Sequence, residues 1–393
     1  MPGKGVCIPE HMNVLFVTQE PWRTPEYGAE TRTHGLISGL IASGLRVDVL
    51  VPKVQEEIES PSVQTYEASW LNLPEYGYPL SIGAVLSYGL RAFDSLNGLP
   101  RAMDYDVVYV QQLHTAWCGF ALGLGFTRLV LDEHNVEWDL QRQYDAIKPS
   151  QWRRLRVYEA ICCKLYRHVT VPSTSDRSLL CESLGVNPRK VSVVPNAVDG
   201  LKFRRMDVRG VVLKQSMGAQ DKHLVFFMGS YGYIPNRDAA QLIIDQIYPE
   251  TREFVTNVLF VFAGRKPEKL RVPPTKGIVV LGVVQNVVDW INAASVCIAP
   301  LRFGSGTRLK LLEWMACERP IIATRKAAEG LEVENGENII LEDDFGKYPR
   351  LIRELIANPE RSALMGKNAR KLVLERYDWR KVGIDLAGVF RRL

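Results

Sequence analysis

The sequence predicts an α/β fold made of two doubly wound domains with parallel sheets. Short apolar runs alternate with amphipathic segments, as expected when strands are joined by crossover helices. The 393 residues exceed the size of one ordinary domain. A break in the alternation at 195–199 (PNAVD) divides it into two series of similar length.

The first series opens with a strand at 13–18, a helix at 29–43 and a strand at 46–51. A strand, a helix and a strand in this order form a right-handed unit with parallel strands. An irregular stretch rich in Pro, Tyr and Trp follows. The remaining predicted elements are helix 81–96, strand 106–111, strand 128–132, helix 138–167, strand 168–172, helix 174–184 and strand 191–194.

The second series begins after residues 203–219, which are predicted to be charged and irregular and to contain the domain boundary. Its strands are predicted at 224–228, 258–263, 278–281, 296–299, 321–323 and 339–340. Helices fit between them, for example at 237–247 and 287–293. The tail, 347–393, predicts two or three helices with a break at Pro359.

Composition excludes several classes of protein. The apolar fraction of 46% and the charged fraction of 24% are typical of soluble globular chains, and no apolar run is long enough to span a membrane. The net charge of +5 permits an anionic ligand but is too small to indicate nucleic-acid binding. Residues 1–11 lack the apolar core of a signal peptide and are expected to be a disordered extension.

The seven cysteines are odd in number and lack metal-site or redox-motif spacing. Free thiols in a reducing compartment are therefore expected. We expect a cytoplasmic protein, with peripheral contact at the inner membrane face as a further possibility.

The stretch 295–331 carries the clearest chemical pattern. A strand is followed by the small-residue turn 304–306 and then by a helix predicted at 307–318. Such a turn delivers a helix N-terminus to the carboxyl end of a strand, where Arg308 and Lys310 would complete an anion site. Glu313 would bind hydroxyls nearby, and phosphate next to hydroxyls describes a nucleotide sugar. The alternative is an ordinary turn with solvated cations and a helix-paired glutamate.

Five stretches of the chain, in order, resemble one enzyme family. They are LDEHNVE at 131–137, PNAVD at 195–199, GSYGYIPNRDA at 229–239, PLRFGSGTRLKLLEWMA at 300–316 and AAEGL at 327–331. Together they are similar to the family-4 (group 1) retaining glycosyltransferases, which have the GT-B fold of two Rossmann-like domains facing a cleft.

The resemblance implies that the two domains bind different substrates. Residues 12–200 would form an acceptor-binding Rossmann-like domain and 201–372 a nucleotide-sugar-binding one. Residues 373–393 would form a helix that packs back on the N-terminal domain. A sugar would pass from a nucleotide diphosphate sugar to a glycan, lipid-linked or small-molecule acceptor, with retention of configuration. No metal is expected, because arginine and lysine can neutralise the leaving diphosphate.

The resemblance and the strand-end positions together give three sets of candidate site residues. The catalytic set is His134, Arg308 and Lys310. The donor-binding set is Gly304, Ser305, Gly306, Thr307, Glu313, Gly229 and Asn236. The N-terminal loop and acceptor set is Gly28, Glu30, Arg32 and His114.

The sequence departs from the family pattern at three places. Ser305 stands where the family usually has the first of two glutamates. The usual Arg-x4-Lys pair after the first strand of the second domain is missing, so Arg308 and Lys310 are expected to take over the phosphate contacts. Gly28-Ala29 stands where two glycines are common.

Other functions fit parts of the same pattern. A nucleotide-sugar epimerase of similar fold would need no acceptor, and a non-catalytic nucleotide-sugar-binding protein would bind without turnover. His134 and His114 have structural alternatives, as strand-end histidines often do. The basic helix 152–167 is either a solvated surface or a contact for anionic lipid, and the aromatic region 70–88 is a candidate acceptor surface.

Overall fold

The computed structural model describes residues 12–23, 28–53, 63–68, 101–123, 128–143, 148–304 and 306–393. The chain divides into two compact units. The N-terminal unit runs to Pro195 and includes Trp379–Leu393, and the C-terminal unit is Asn196–Asp378. The first crossing between units therefore falls inside the PNAVD stretch.

The N-terminal unit contains a seven-stranded parallel sheet in the order β3-β2-β1-β4-β5-β6-β7. Its strands are β1 Asn13–Val17, β2 Arg46–Val51, β3 Thr65–Glu67, β4 Val107–Gln111, β5 Arg128–Asp132, β6 His168–Val171 and β7 Val191–Val193. The strand order reverses between β1 and β4. Ligands of such sheets bind beyond the carboxyl ends of the strands at this point.

In the described ranges this unit has six α-helices besides its sheet. They are Gly28–Ala42, Ala116–Gly123, Glu137–Arg142, Pro149–Leu165, Thr174–Leu184 and Trp379–Arg391. The single helix predicted at 138–167 is wrong, because a second helix begins at Pro149, a residue suited to the first helical position. The expected extension 1–11, the predicted helix 81–96 and the aromatic region 70–88 lie outside the described residues.

The last helix, Trp379–Arg391, packs on the first helix, Gly28–Ala42, with almost no space between their backbones. A Cβ atom on Gly39 would lie 2.4 Å from the Trp379 carbonyl oxygen and 2.9 Å from Gly383 Cα. Glycine is therefore needed at this crossing. The predicted return of the C-terminal helix to the N-terminal unit is confirmed.

The C-terminal unit contains a six-stranded parallel sheet in the order β10-β9-β8-β11-β12-β13. Its strands are β8 His223–Met228, β9 Val258–Ala263, β10 Ile278–Val280, β11 Val296–Ala299, β12 Ile321–Ala323 and β13 Ile340–Leu341. The order reverses between β8 and β11. The loops that start at Gly229 and at Pro300 leave the sheet at this point.

In the described ranges this unit has eight α- or π-helical segments. They are Asp207–Ser216, Ile234–Leu242, the π-helical turn Ile243–Ile247, Tyr248–Phe254, Val287–Ala293, Leu309–Ala316, Tyr348–Ala357 and Pro359–Arg376. The irregular structure predicted for 203–219 is wrong, because Asp207–Ser216 is helical and its buried Gly210 packs closely against Asn292. The periodicity hides this helix because Val208, Val211 and Val212 face solvent.

None of the helices in the described ranges has the length and apolar character needed to cross a membrane.

Candidate functional site

The helix of the 295–331 stretch begins later than the sequence predicts. It spans Leu309–Ala316, with Arg308 at the N-cap. Lys310 therefore lies in the first turn and Glu313 in the second, whereas Arg308 precedes the helix. The half-buried side chains of Lys310 and Glu313 lie at the reversal point of the second sheet.

Lys310 is held by β8 and by the helix Ile234–Leu242 that follows it. Its Nζ donates to Asn236 Oδ1 at 2.8 Å and lies 4.4 Å from the centre of the Phe227 ring. A Cβ atom on Gly229 would lie 2.7 Å from Asn236 Nδ2 and 2.9 Å from Lys310 Nζ. Glycine at 229 is therefore what lets the lysine and the amide meet. We call Phe227, Gly229, Asn236, Lys310 and Glu313 the lysine cluster.

Burial shifts the pKa values of Lys310 and Glu313 towards neutral pH. Burial, and then the nearby Arg308, lowers the pKa of Lys310 to about 7, against an opposing effect of Glu313. Burial raises the pKa of Glu313 to about 7, against the opposing effects of Lys202 and Lys310. Perturbed groups of this kind are frequent at binding and catalytic sites.

The glycine turn brings Arg308 back over its own backbone. Gly304 has φ +110° and Gly306 has φ +76°, a region that side-chain-bearing residues rarely adopt. The Arg308 Nη1 atom donates to the Gly306 carbonyl at 2.8 Å. A Cβ atom on Gly304 would lie 2.8 Å from Arg308 Nη2, so Gly304 leaves the space that the guanidinium occupies.

Thr307 is 7% exposed, and its Oγ1 is buried without a hydrogen-bond partner among the described residues. Its carbonyl accepts a hydrogen bond from Asn196 Nδ2 at 3.3 Å. A buried hydroxyl without a partner is unusual and indicates a place where a ligand atom would be bonded. Ser305 lies outside the described residues.

A second set of polar residues lies at the carboxyl ends of β4 and β5 in the N-terminal unit. Arg32 pairs with Asp132 through Nε–Oδ2 at 3.0 Å and Nη2–Oδ1 at 2.6 Å, and both side chains are buried. Burial opposes ionisation of Asp132, but the Arg32 charge and the hydrogen bonds of His134 and Arg32 hold its pKa well below the ordinary value. Arg32 therefore lies inside this unit, with its charge neutralised by Asp132.

His134 is fixed from two sides. Its Nε2 lies 3.3 Å from Asp132 Oδ2, and its Nδ1 lies 3.0 Å from Gln112 Nε2. Gln112 Nε2 also donates to Glu20 Oε1 at 2.9 Å. We call Glu20, Arg32, Gln112, Asp132 and His134 the histidine cluster.

The other N-terminal candidates lie on neighbouring elements. Gly28 is the exposed first residue of its helix, and Glu30 is buried two residues later. Burial and then Glu20 raise the pKa of Glu30 to about 7. Burial and then His134 lower the pKa of His114 to about 4, so His114 is neutral at physiological pH.

Glu133, the residue before His134, has its side chain in the interior of the unit. Glu133 is fully buried and accepts a weak bond from the Cys163 thiol at 3.6 Å. Burial, followed by repulsion from Glu159, raises the pKa of Glu133 well above its ordinary value. Glu133 is therefore part of the interior, although the sequence groups it with a polar strand end.

Sequence reasoning missed three members of these sites. Asp132 was predicted only as a strand residue, although its position at the end of an apolar strand and before His134 is a usable signal. Gln112 follows β4 in the same way. Lys202, whose charge lowers the pKa of Glu313, follows the PNAVD stretch and carries no signal of its own.

The lysine cluster and the two residues that precede its helix, Thr307 and Arg308, together offer cations, a carboxylate and an unpartnered hydroxyl, which suits a ligand with phosphate next to hydroxyl groups. Among the described residues, no group of three His, Cys, Asp or Glu side chains is placed to hold a metal ion.

Two family models match the chain and together cover most of it. Residues 27–200 match the model described as Glycosyltransferase Family 4. Residues 222–358 match the model described as Glycosyl transferases group 1. Comparison with curated protein sequences gives no significant match.

Solved glycosyltransferase structures share the fold over almost the whole chain. Sucrose-phosphate synthase from Thermosynechococcus elongatus superposes with a TM-score of 0.75 at 16% identity, covering 97% of this chain and 98% of that one. HepE from Anabaena in complex with UDP-glucose gives 0.71 at 16% identity, covering 98% and 100%. WaaG, a glycosyltransferase involved in lipopolysaccharide biosynthesis, gives 0.70 at 13% identity, covering 96% and 99%.

The two family matches, the paired parallel sheets and the shared fold lead to one conclusion. The chain is a glycosyltransferase with the GT-B fold and belongs to the family-4 (group 1) glycosyltransferases.

Proposed function

We propose that this glycosyltransferase moves a sugar from a nucleotide diphosphate sugar to an acceptor with retention of configuration. The C-terminal unit binds the nucleotide at the lysine cluster, and the N-terminal unit binds the acceptor. The acceptor is a glycan, a lipid-linked sugar or a small molecule. The HepE structures contain UDP or UDP-glucose, which supports a nucleotide diphosphate as the leaving group.

The observation that carries this proposal is the contact of Lys310 Nζ with Asn236 Oδ1, half-buried beside Glu313. A lysine held in this way offers its remaining protons to a diphosphate. Glu313, in the next turn, accepts hydrogen bonds from ribose hydroxyls. Thr307 Oγ1 and the helix N-terminus supply further donors to the diphosphate.

The same groups serve the chemical step. Negative charge grows on the leaving diphosphate as the glycosidic bond breaks, and fixed cations in a partly dry site stabilise that charge. Arg308 and Lys310 supply two positive charges where other enzymes use a metal ion. His134 is the proposed contact for the reacting sugar.

Alanine substitution tests the donor site. We expect Lys310→Ala to lower kcat/KM by roughly 10²–10³-fold, because it removes charge stabilisation of the leaving group. We expect Glu313→Ala chiefly to raise KM, because hydroxyl contacts serve substrate and transition state alike. The measurement is steady-state transfer kinetics, with Lys371→Ala, an exposed lysine in the same unit, as the control. Wild-type kinetics in both site variants would reject the assignment.

The alternatives give different products in the same assay. Conversion of the donor sugar without an acceptor would indicate an epimerase. Nucleotide binding without turnover would indicate a binding protein. Neither result is expected, because the lysine cluster is intact.

The basic helix Pro149–Leu165 supports a membrane-bound acceptor. Its outward face carries Val157, Ile161 and Leu165, which are 60%, 49% and 58% exposed, at a spacing of four residues. Arg153, Arg154, Arg156 and Lys164 are also exposed around this row. The only carboxylate of the helix, Glu159, is fully buried. Apolar side chains among cations, without anions, suit a surface of anionic lipid.

We propose that the enzyme works in the cytoplasm with this helix against the inner membrane face. Val157→Asp/Ile161→Asp is expected to reduce binding to phosphatidylglycerol-containing vesicles by roughly tenfold or more. Vesicle flotation measures the effect. Val208→Asp/Val212→Asp, which changes exposed valines on Asp207–Ser216, is the matched control. Equal loss in both pairs, or binding unaffected by the first pair, would refute the proposal.

A further inference from the structure

Gln112 has a backbone conformation that favours glycine. Its φ is +72° and its ψ is 145°, in a region that residues with a Cβ atom rarely adopt. It follows β4 directly, at the reversal point of the N-terminal sheet. Such strain is kept where a side chain is needed in one place. The side chain of Gln112 therefore calls for an explanation.

The amide of Gln112 lies between a carboxylate and an imidazole. Nε2 donates to Glu20 Oε1 at 2.9 Å and lies 3.0 Å from His134 Nδ1. The reversed amide would set its oxygen against the Glu20 oxygen, which is also an acceptor. Because an amide nitrogen only donates, His134 Nδ1 must accept.

The other ring nitrogen faces an ionised group. His134 Nε2 lies 3.3 Å from Asp132 Oδ2, and the Asp132 carboxylate is paired with Arg32 and also accepts from Thr170 Oγ1 at 2.7 Å. A nitrogen next to this carboxylate carries the proton. The neutral ring of His134 is therefore bare on Nδ1, which accepts from Gln112, and protonated on Nε2, which faces Asp132 Oδ2 at 3.3 Å without an aligned hydrogen bond.

We propose that Gln112, whose amide is oriented by Glu20, is a positioning residue that holds His134 in the Nε2–H tautomer beside Asp132. In this arrangement His134 contacts the substrate from a fixed ring and does not serve as the base that takes the acceptor's proton. The catalytic consequence rests on the proposed function, whereas the tautomer is a property of the free protein.

The tautomer is measured directly on the full chain. Two-bond proton–nitrogen correlation spectra of ¹⁵N-histidine protein, at mildly alkaline pH, separate the two neutral forms. The His134 signals are assigned by their loss in His134→Gln. A ring protonated on Nε2 supports the proposal, and a ring protonated on Nδ1 or an exchanging mixture overturns it. Because no substrate is present, this result is independent of the proposed reaction.

Two variants test the role of the side chain. Gln112→Glu sets a carboxylate against Nδ1 while Asp132 still faces Nε2, so Nδ1 should also take up a proton and the spectrum should change to that of an imidazolium ring. An unchanged spectrum would contradict the proposal. Gln112→Gly removes the amide while relieving the backbone, so Tm should not fall, whereas kcat should fall by about ten- to a hundredfold with little change in donor KM. Wild-type kcat, or a loss of activity that parallels a loss of Tm, would leave Gln112 without a positioning role.

Discussion

At the residue scale, the lysine cluster holds two groups that titrate near neutrality with opposite charges. Burial lowers the pKa of Lys310 and raises that of Glu313, each to about 7. A bound diphosphate favours the charged form of Lys310, so binding above this pH takes up a proton. Protonation of Glu313 below this pH removes an acceptor for hydroxyls. Donor binding is therefore weakened at high pH through Lys310 and at low pH through Glu313.

Donor affinity should therefore pass through a maximum near neutral pH. On the alkaline side we expect affinity for a nucleoside diphosphate to fall by up to about tenfold per pH unit, the limit for uptake of one proton. Titration calorimetry in buffers of different ionisation enthalpy measures both affinity and proton uptake. Lys310→Arg stays charged and should lose the alkaline decline. The same decline in that variant would assign it to another group.

The sequence names four residues of the lysine cluster, Gly229, Asn236, Lys310 and Glu313, but only Arg32 and His134 of the histidine cluster. Lys310 and Glu313 lie on one short helix, so their spacing is visible. The partners of His134 are set by the pairing of β4 with β5, in which Gln111 lies opposite Asp132. Sequence patterns predict that these strands exist, but not which residues their register brings together.

At the element scale, apolar runs located the strands well because parallel strands covered on both faces are almost continuously hydrophobic. The helix predictions contain two errors. The helix Asp207–Ser216 exposes its valines, and the helix predicted at 138–167 is interrupted before Pro149. In the first case the apolar residues do not mark the buried face, and in the second a proline starts a new helix within an unbroken apolar pattern.

The crossing of the first and last helices of the N-terminal unit gives a test at this scale. We expect Gly39→Ala to lower the free energy of unfolding by about 1–3 kcal/mol, because the added methyl overlaps the Trp379 carbonyl and the Gly383 backbone. Urea unfolding measures the change. Ser38→Ala, on the exposed face of the same helix, is the control. Equal stability of the two variants would mean that the helices do not pack in this way.

Another side chain connects elements of the C-terminal unit. Arg370 donates to the carbonyls of Gly200 at 3.2 Å, Phe203 at 3.1 Å and Ala316, the last residue of the helix that carries Lys310. It thereby fastens the end of that helix to the segment following the PNAVD stretch. The position of Lys310 is thus supported from both ends of its helix.

At the scale of the whole molecule, each unit is a parallel sheet with one reversal of strand order. In each unit the polar cluster lies at that reversal, as the α/β rule predicts. The sequence therefore predicted the fold and placed its candidate residues at the carboxyl ends of strands. The identities of the donor sugar, the nucleotide base and the acceptor depend on the shape and contacts of side chains, which sequence patterns do not encode.

The most direct test of the central claim is the thermal stability of the protein with a panel of UDP-, GDP- and ADP-sugars. A donor that binds at the lysine cluster raises the free energy of unfolding with the logarithm of its concentration over its affinity. We predict that at least one nucleotide sugar raises the Tm of the wild type and of Lys371→Ala in this way, and that Lys310→Ala largely loses the shift. No stabilisation by any nucleotide sugar, or an undiminished shift in Lys310→Ala, would contradict the account.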